Sequence, residues 1–239
     1  MKRYLIVNAD DFGLSFGVNQ GIIEAFEHGI VTSTSLMVNW IGAAEAAAYA
    51  RKHPNLSLGL HLDLGEWAYR DGEWVTLYEE VPLNDAMAIE NEVNRQLASF
   101  RFFLGKDPTH IDSHQHVHRE EPAQSVVTTI ARELSIPLRH FNSSVSYCGN
   151  FYGQMAEGEP YAEAISVDGL IQTLETLPPG ITELCCHPGY GDNLDTMYKA
   201  ERAIEVQTLY DPRVRTALDE LGIELCSFND IEAIVSAGT

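Results

Sequence analysis

Short apolar runs alternate with stretches of helical periodicity from one end of this chain to the other, and that alternation constrains the fold more than any other feature. The pattern predicts strands over 4–9, 33–38, 56–64, 109–116, 138–141, 183–187 and 224–228. It predicts helices over 15–28, 43–52, 85–104, 123–134, 167–177, 196–221 and 231–236. In the first helix Val18, Ile22, Ile23 and Phe26 share one face and Gly29 is the stop. About seven strand-helix units in sequence imply a parallel sheet covered by helices. The expected architecture is therefore α/β: a single-domain (β/α) barrel-like fold over residues 1–239, incomplete or distorted. An open doubly wound sheet is the alternative. Residues 65–84 keep no clean period and carry Trp67, Tyr69, Trp74 and Tyr78, so they read as an inserted loop or lid.

Charge narrows the function. With 35 acidic residues against 15 Lys plus Arg, the formal charge is -20. Such a surface repels phosphate backbones and anionic lipid, which argues against nucleic-acid and membrane-surface roles. The four cysteines, two of them adjacent, make no disulfide framework and suit reduced thiols. The N-terminal apolar run meets Asp10 and Asp11 too soon for a signal peptide or a membrane span, so a cytoplasmic location is expected.

Four of nine histidines fall within residues 110–118. Read as one strand, that segment puts His110, Asp112, His114, His116 and His118 on one face, with Ile111 and Val117 on the other. Imidazole and carboxylate are ordinary ligands of a catalytic divalent metal. Other unusual polar residues end neighbouring strands: Asp10 and Asp11 the first, His61 and Asp63 the third, His187 the sixth. Each has a bland explanation by itself, as a helix cap, a satisfied buried histidine or a turn residue. Together they mark the C-terminal rim of a parallel α/β fold, where sites are built. One carboxylate with two imidazoles leaves open positions on a metal; a second carboxylate can take a proton from water, and an opposite histidine can give one to a leaving group. These residues suit metal-assisted hydrolysis of an amide or ester.

Six segments carry a family resemblance: Asn8-Ala-Asp-Asp-Phe-Gly-Leu14, Gly21-Ile-Ile-Glu24, Gly29-Ile-Val-Thr-Ser-Thr34, Gly59-Leu-His-Leu62, Thr109-His-Ile-Asp-Ser-His-Gln-His-Val-His118 and Cys186-His-Pro-Gly-Tyr190. In this order the chain resembles the YdjC-like carbohydrate deacetylases, which include bacterial chitooligosaccharide deacetylases. The resemblance implies a barrel-like α/β fold and removal of acetyl groups from N-acetylated mono- or oligosaccharides, with Mg2+ or Zn2+ as the metal. It implies Asp11, His61 and His114 as metal ligands, Asp10 as general base and His187 as proton donor. His116 is the reserve ligand, and Asp112 and His118 are candidates for orienting the ligands. After Leu62 the chain departs from the family's Thr-rich, Gly-Lys-Pro-Leu-like segment and reads Asp63-Leu-Gly-Glu-Trp-Ala-Tyr-Arg-Asp-Gly-Glu-Trp74. Trp67, Tyr69 and Trp74 there are candidates for stacking on sugar rings, for packing, or for a contact between two copies in a homodimer.

Two other readings compete. A phosphoesterase or cyclic-amidohydrolase type of metal enzyme would also use His-x-His on a strand; a phosphoesterase would want a basic pocket, for which Arg139 is one isolated candidate. A non-catalytic metal- or sugar-binding protein would leave the spare carboxylate and remote histidine without a task.

Overall fold

The structure is a computed structural model that describes residues 2–191 and 194–238. In chain order its elements are β1 (Arg3–Phe12), α1 (Phe16–Glu27), β2 (Ser33–Leu36), α2 (Ala43–Lys52), β3 (Ser57–Leu62), β4 (Gly65–Arg70), β5 (Glu73–Glu79), α3 (Ala86–Leu104), β6 (Ile111–Ser113), α4 (Ala123–Leu134), β7 (Val145–Cys148), α5 (Val167–Glu175), β8 (Gly180–Cys186), α6 (Ala200–Tyr210), α7 (Pro212–Leu221), β9 (Ile223–Cys226) and α8 (Ile231–Gly238). Strands run in the order β6-β3-β2-β1-β8-β7, with every ladder parallel. β8 occupies one edge of β1; β9 and β2 share the other, beside Arg3–Ile6 and Asn8–Phe12 respectively. Among the described residues the end strands β6 and β7 do not pair, yet side chains from β6, β1 and β8 meet on Arg139 across the interior, so the sheet curls into an incomplete barrel. The segment at Leu138 lies beside β6, with a single bridge to Ile111 and a hydrogen bond from the Arg139 amide to the Ile111 carbonyl (3.0 Å).

Alternation along β1 divides the interior. Leu5, Val7 and Ala9 face the helices and join the large apolar core. Ile6 faces the barrel and joins Ile181, Cys226, Phe228 and Ile231 in a small plug at its base. Above that plug the inward positions turn polar: Asn8, Asp10, His61, Asp112, Arg139 and Glu183 are all buried. Barrels of this kind ordinarily fill such layers with branched aliphatics. Burying charge without partners costs several kcal/mol per ion, roughly, so this layer stands only because its members pair with one another.

The structure corrects four local expectations. Residues 65–84 contain an antiparallel hairpin, β4 with β5, instead of an irregular loop. Its two-residue turn is Asp71-Gly72, both at positive φ (53° and 89°), the backbone that a type I′ hairpin needs and Asp-Gly supplies. The strand expected over 109–116 ends at Ser113; a 3₁₀ turn over His114–Arg119 follows, with Gln115 and His116 in the left-handed region. The strand expected over 138–141 shrinks to the one bridge, while β7 takes the place beside β8. The helix expected over 196–221 is broken by Pro212, with Asp211 capping α7 through the Arg213 amide (2.9 Å). No helix among the described residues is long and apolar enough to cross a membrane.

Candidate metal centre and active site

Asp10 and Asp11 would point to opposite faces of a regular strand. Here the β1–β2 register shifts between Ala9 and Phe12, and Asp11 takes a positive φ of 68°. A bulge of this kind re-aims a side chain, and both carboxylates reach the same cavity. That cavity, of about 600 Å³, is also lined by His61, His114 and His187. The five residues that the resemblance implied as ligands and proton carriers thus lie together, delivered by the ends of β1, β3, β6 and β8.

Asp11, His61 and His114 form the tightest group. Asp11 Oδ1 is 3.2 Å from His61 Nε2 and 3.3 Å from His114 Nδ1. It is buried with no hydrogen-bond partner among the described residues. Ligands about 2.0–2.2 Å from one ion stand about 3.0–3.5 Å apart, so these three atoms have the spacing of a shared cation. Asp112 sets the tautomer. Its Oδ1 lies 2.8 Å from His61 Nδ1, so that nitrogen donates and Nε2 turns its lone pair toward Asp11. Two acceptors facing each other require a cation or a proton between them. Arg202 Nη2 donates to the other Asp11 oxygen (2.6 Å), so Oδ1 is the oxygen that could hold an ion. Burial works against charge on the histidines, but Asp112, Asp10 and Asp11 hold His61 well above its usual value. Asp11 and Glu66, likewise against burial, raise His114 to about 9.

Asp10 sits beside this group in a different environment. Arg139 grips both its oxygens (Nη1–Oδ2 2.6 Å, Nη2–Oδ1 2.7 Å), and Asn8 Nδ2 adds a bond to Oδ1 at 2.8 Å. Burial alone would raise Asp10; the guanidinium outweighs it and holds the carboxyl far below the usual range. His187 Nε2 is 3.9 Å from Asp10 Oδ2. Burial pushes His187 down to about 4, so its ring is neutral at pH 7. Glu205, itself raised to about 8 by burial, accepts the His187 amide (2.5 Å), and Arg202 reaches the His187 carbonyl (3.4 Å). α6 therefore braces both Asp11 and His187.

The other expected residues fall into place differently. Asp112 orients His61 as described and also accepts from Arg139 (2.8 Å) and Ser35 (2.9 Å). His116 lines the cavity but does not join the metal-competent group; its left-handed backbone turns the ring to Tyr147, with Nε2 3.1 Å from the hydroxyl. It is not a neighbour of His114 on a strand face, because the strand has already ended. His118 is buried against Ser113 Oγ (2.6 Å) and the Arg139 carbonyl (3.1 Å), where it holds the turn. His110 stacks on Phe228 (3.6 Å between centroids) in the barrel interior, away from the ligand group. Trp74, 55% exposed, lines the cavity, with Tyr69 edge-on to it at 5.6 Å. Trp67 exchanges backbone bonds with the Gln115 side chain (3.0 and 2.8 Å), which ties the hairpin to the 3₁₀ turn. Asp63 anchors the same hairpin by accepting from Tyr78 and Trp40.

Several site residues went unforeseen. Glu66 on the hairpin approaches His114 Nε2 (3.7 Å). Tyr152 and Tyr198 stack on each other at 4.6 Å, both within 5.5 Å of the His187 ring. Glu183 shares Arg139 with Asp10 (2.6 Å). One signal for Glu183 was available: it continues the two-residue period of Cys185 and His187. Arg139 turns out to be wholly buried and neutralised by three carboxylates, so it offers nothing to a phosphate and the phosphoesterase reading loses its one basic candidate.

The YdjC-like protein family matches residues 4–220 of the chain. A chitooligosaccharide deacetylase from Serratia marcescens is 35% identical, over 97% of this chain and all of its own length. A carbohydrate deacetylase from Geobacillus stearothermophilus is 35% identical, over 96% of this chain and 98% of its own. A crystal structure from Enterococcus faecalis V583, described provisionally as a cellobiose-phosphate cleavage protein, superposes with a TM-score of 0.77 at 28% identity, over 97% of this chain and 99% of that one. Family match, near full-length identity and fold agree: the chain belongs to the YdjC-like protein family.

Proposed function

We propose that this protein is a metal-dependent carbohydrate N-deacetylase, which hydrolyses the acetamido group of N-acetylated mono- or oligosaccharides of the chitooligosaccharide type to acetate and a free amine. One observation carries the reading: Asp11 Oδ1, with no hydrogen-bond partner among the described residues, faces His61 and His114 beside a second carboxylate and a histidine in one cavity. The names of the Serratia and Geobacillus relatives support the substrate class.

Asp11, His61 and His114 would hold the divalent ion, Mg2+ or Zn2+, which when bound polarises the amide carbonyl and acidifies a water. Asp10, charged at any pH the protein meets, accepts a proton from the attacking water. Arg139 makes it a weak base, so it works only on a water already acidified. His187 is neutral at rest and therefore enters as an acceptor. The proton taken by Asp10 reaches His187 before the C–N bond breaks, and His187 then protonates the departing nitrogen. Their 3.9 Å separation is beyond a direct hydrogen bond, so a bridging water or a small closure on substrate completes the path. Tyr152, Tyr198 and Trp74 wall the cavity with surfaces suited to sugar rings. Acetate release from N-acetylglucosamine and its oligomers tests the proposal. Release that a chelator abolishes and Zn2+ or Mg2+ restores is expected; none from any N-acetylated sugar with metal present refutes it.

Ion binding should also expel protons. With His114 raised to about 9, its ring is protonated in the ion-free protein at pH 7, and the neighbouring carboxylates push His61 in the same direction. Each ion then displaces at least the His114 proton, and affinity weakens as pH falls from 9 toward 6. Calorimetry in buffers of different ionisation enthalpy counts those protons. A count near zero would place the ion elsewhere.

A further inference from the structure

The cavity holds a second group with metal-ligand geometry. Cys185 Sγ lies 3.4 Å from Asp10 Oδ2 and 4.0 Å from His187 Nε2, and the latter two atoms are 3.9 Å apart. For a tetrahedral zinc ion, nitrogen and oxygen ligands stand about 3.3 Å apart and sulfur about 3.6 Å from either. Reaching those spacings shortens the Asp10–His187 and Cys185–His187 edges by roughly half an ångström and lengthens the Cys185–Asp10 edge by about 0.2 Å. All three residues line the cavity, so the remaining coordination position faces open space. We propose that Asp10, Cys185 and His187 form a second divalent-cation site, selective for thiophilic ions such as Zn2+ or Cd2+, whose occupation removes both proton carriers from the reaction.

The chemistry balances without any redox step. The Cys185 S–H, now donating to Asp10 Oδ2, gives its proton to solvent; sulfur, imidazole nitrogen and carboxylate oxygen then share the ion. A thiolate ligand discriminates against Mg2+, which prefers oxygen and dehydrates reluctantly. Cys186, next in sequence, points the other way, toward the Asn8 carbonyl (3.3 Å), and takes no part. The inhibitory consequence rests on the proposed roles of Asp10 and His187; the binding itself does not.

Titration of the full-length protein with Co2+ tests the site. A thiolate-to-cobalt charge-transfer band is expected to grow with a second equivalent, to be absent in Cys185→Ser and to persist in Cys186→Ser. Acetate release is expected to fall at least tenfold between one and several equivalents of Zn2+, and not with Mg2+ at the same excess, a comparison that needs no variant. A missing band in the native protein, a band that survives Cys185→Ser, or equal loss of activity with Mg2+ overturns the proposal. A band that depends on Cys185 in a protein that never releases acetate upholds the site and refutes the deacetylase reading.

Discussion

Replacing Asp10 with asparagine is expected to lower kcat for acetate release by about 10²–10⁴-fold, the usual worth of a positioned proton acceptor, with little change in affinity for the ion. The two effects separate because the neighbouring aspartates do different work. Asp11 turns Oδ1, which has no hydrogen-bond partner among the described residues, to His61 and His114, whereas both oxygens of Asp10 are engaged by Arg139. The substitution removes one of three carboxylates around Arg139 and leaves Asp112 and Glu183 to balance it, so the fold survives. The amide of Asp10→Asn cannot accept the proton of the attacking water, yet it keeps the size of the side chain it replaces, and its one oxygen keeps half of the hydrogen bonds that the carboxylate accepts. Asp11→Asn should behave differently, losing ion binding and activity together. Activity measured at saturating Mg2+, alongside a direct Mg2+ binding isotherm, checks the contrast. An Asp10→Asn enzyme with near-native kcat would remove Asp10 from the proton path.

The reasons these residues were legible in the sequence, and others were not, are physical. A helix announces itself locally: α2 and α4 begin and end where their apolar period does, because burial of one face and the residues at their ends decide them. Asp10, His61 and His187 stood out because each places an ionisable group at the end of an apolar strand, a position that only a rim site or a cap explains. The histidine run misled in part. A two-residue period from His110 to His118 looks like one strand face, but Gln115 and His116 adopt left-handed backbone, and the run divides into a core residue, one member of the metal-competent group, a cavity-lining residue turned to Tyr147 and a turn support. Asp71-Gly72 was a readable hairpin signal that the aromatic-rich flanks obscured. β7 had no comparable mark; four residues at the sheet's edge take their strand character from β8. Arg139 and Arg202 could not have been found locally. Their partners Asp10 and Asp11 lie 129 and 191 residues away, and nothing near them in sequence requires a buried cation.

Arg139 carries the largest expected effect on stability. Its side chain is wholly buried and bonds Asp10, Asp112 and Glu183 at 2.6–2.8 Å. Removing one partner of a buried ionic cluster leaves uncompensated charge, which costs about 3–5 kcal/mol; Arg139→Met is expected to fall in that range by urea unfolding at pH 8. The loss should shrink in acid. Burial, with Asp112 and Asp10 nearby, already raises Glu183 from its ordinary 4.5 to about 7 despite the guanidinium. A carboxyl raised in the folded state favours folding at low pH, and that contribution is lost as pH rises from 4.5 through about 7. Without Arg139 the folded value climbs further and Asp10 and Asp112 rise with it, so the variant regains stability relative to the native protein as pH drops from 8 to 5.5. Glu183→Gln added to Arg139→Met should recover part of the deficit at pH 8, because it deletes one of the stranded charges. Equal deficits at both pH values, with no recovery in the double variant, would show that Arg139 stabilises by packing its aliphatic stem and that the carboxylates find their compensation elsewhere.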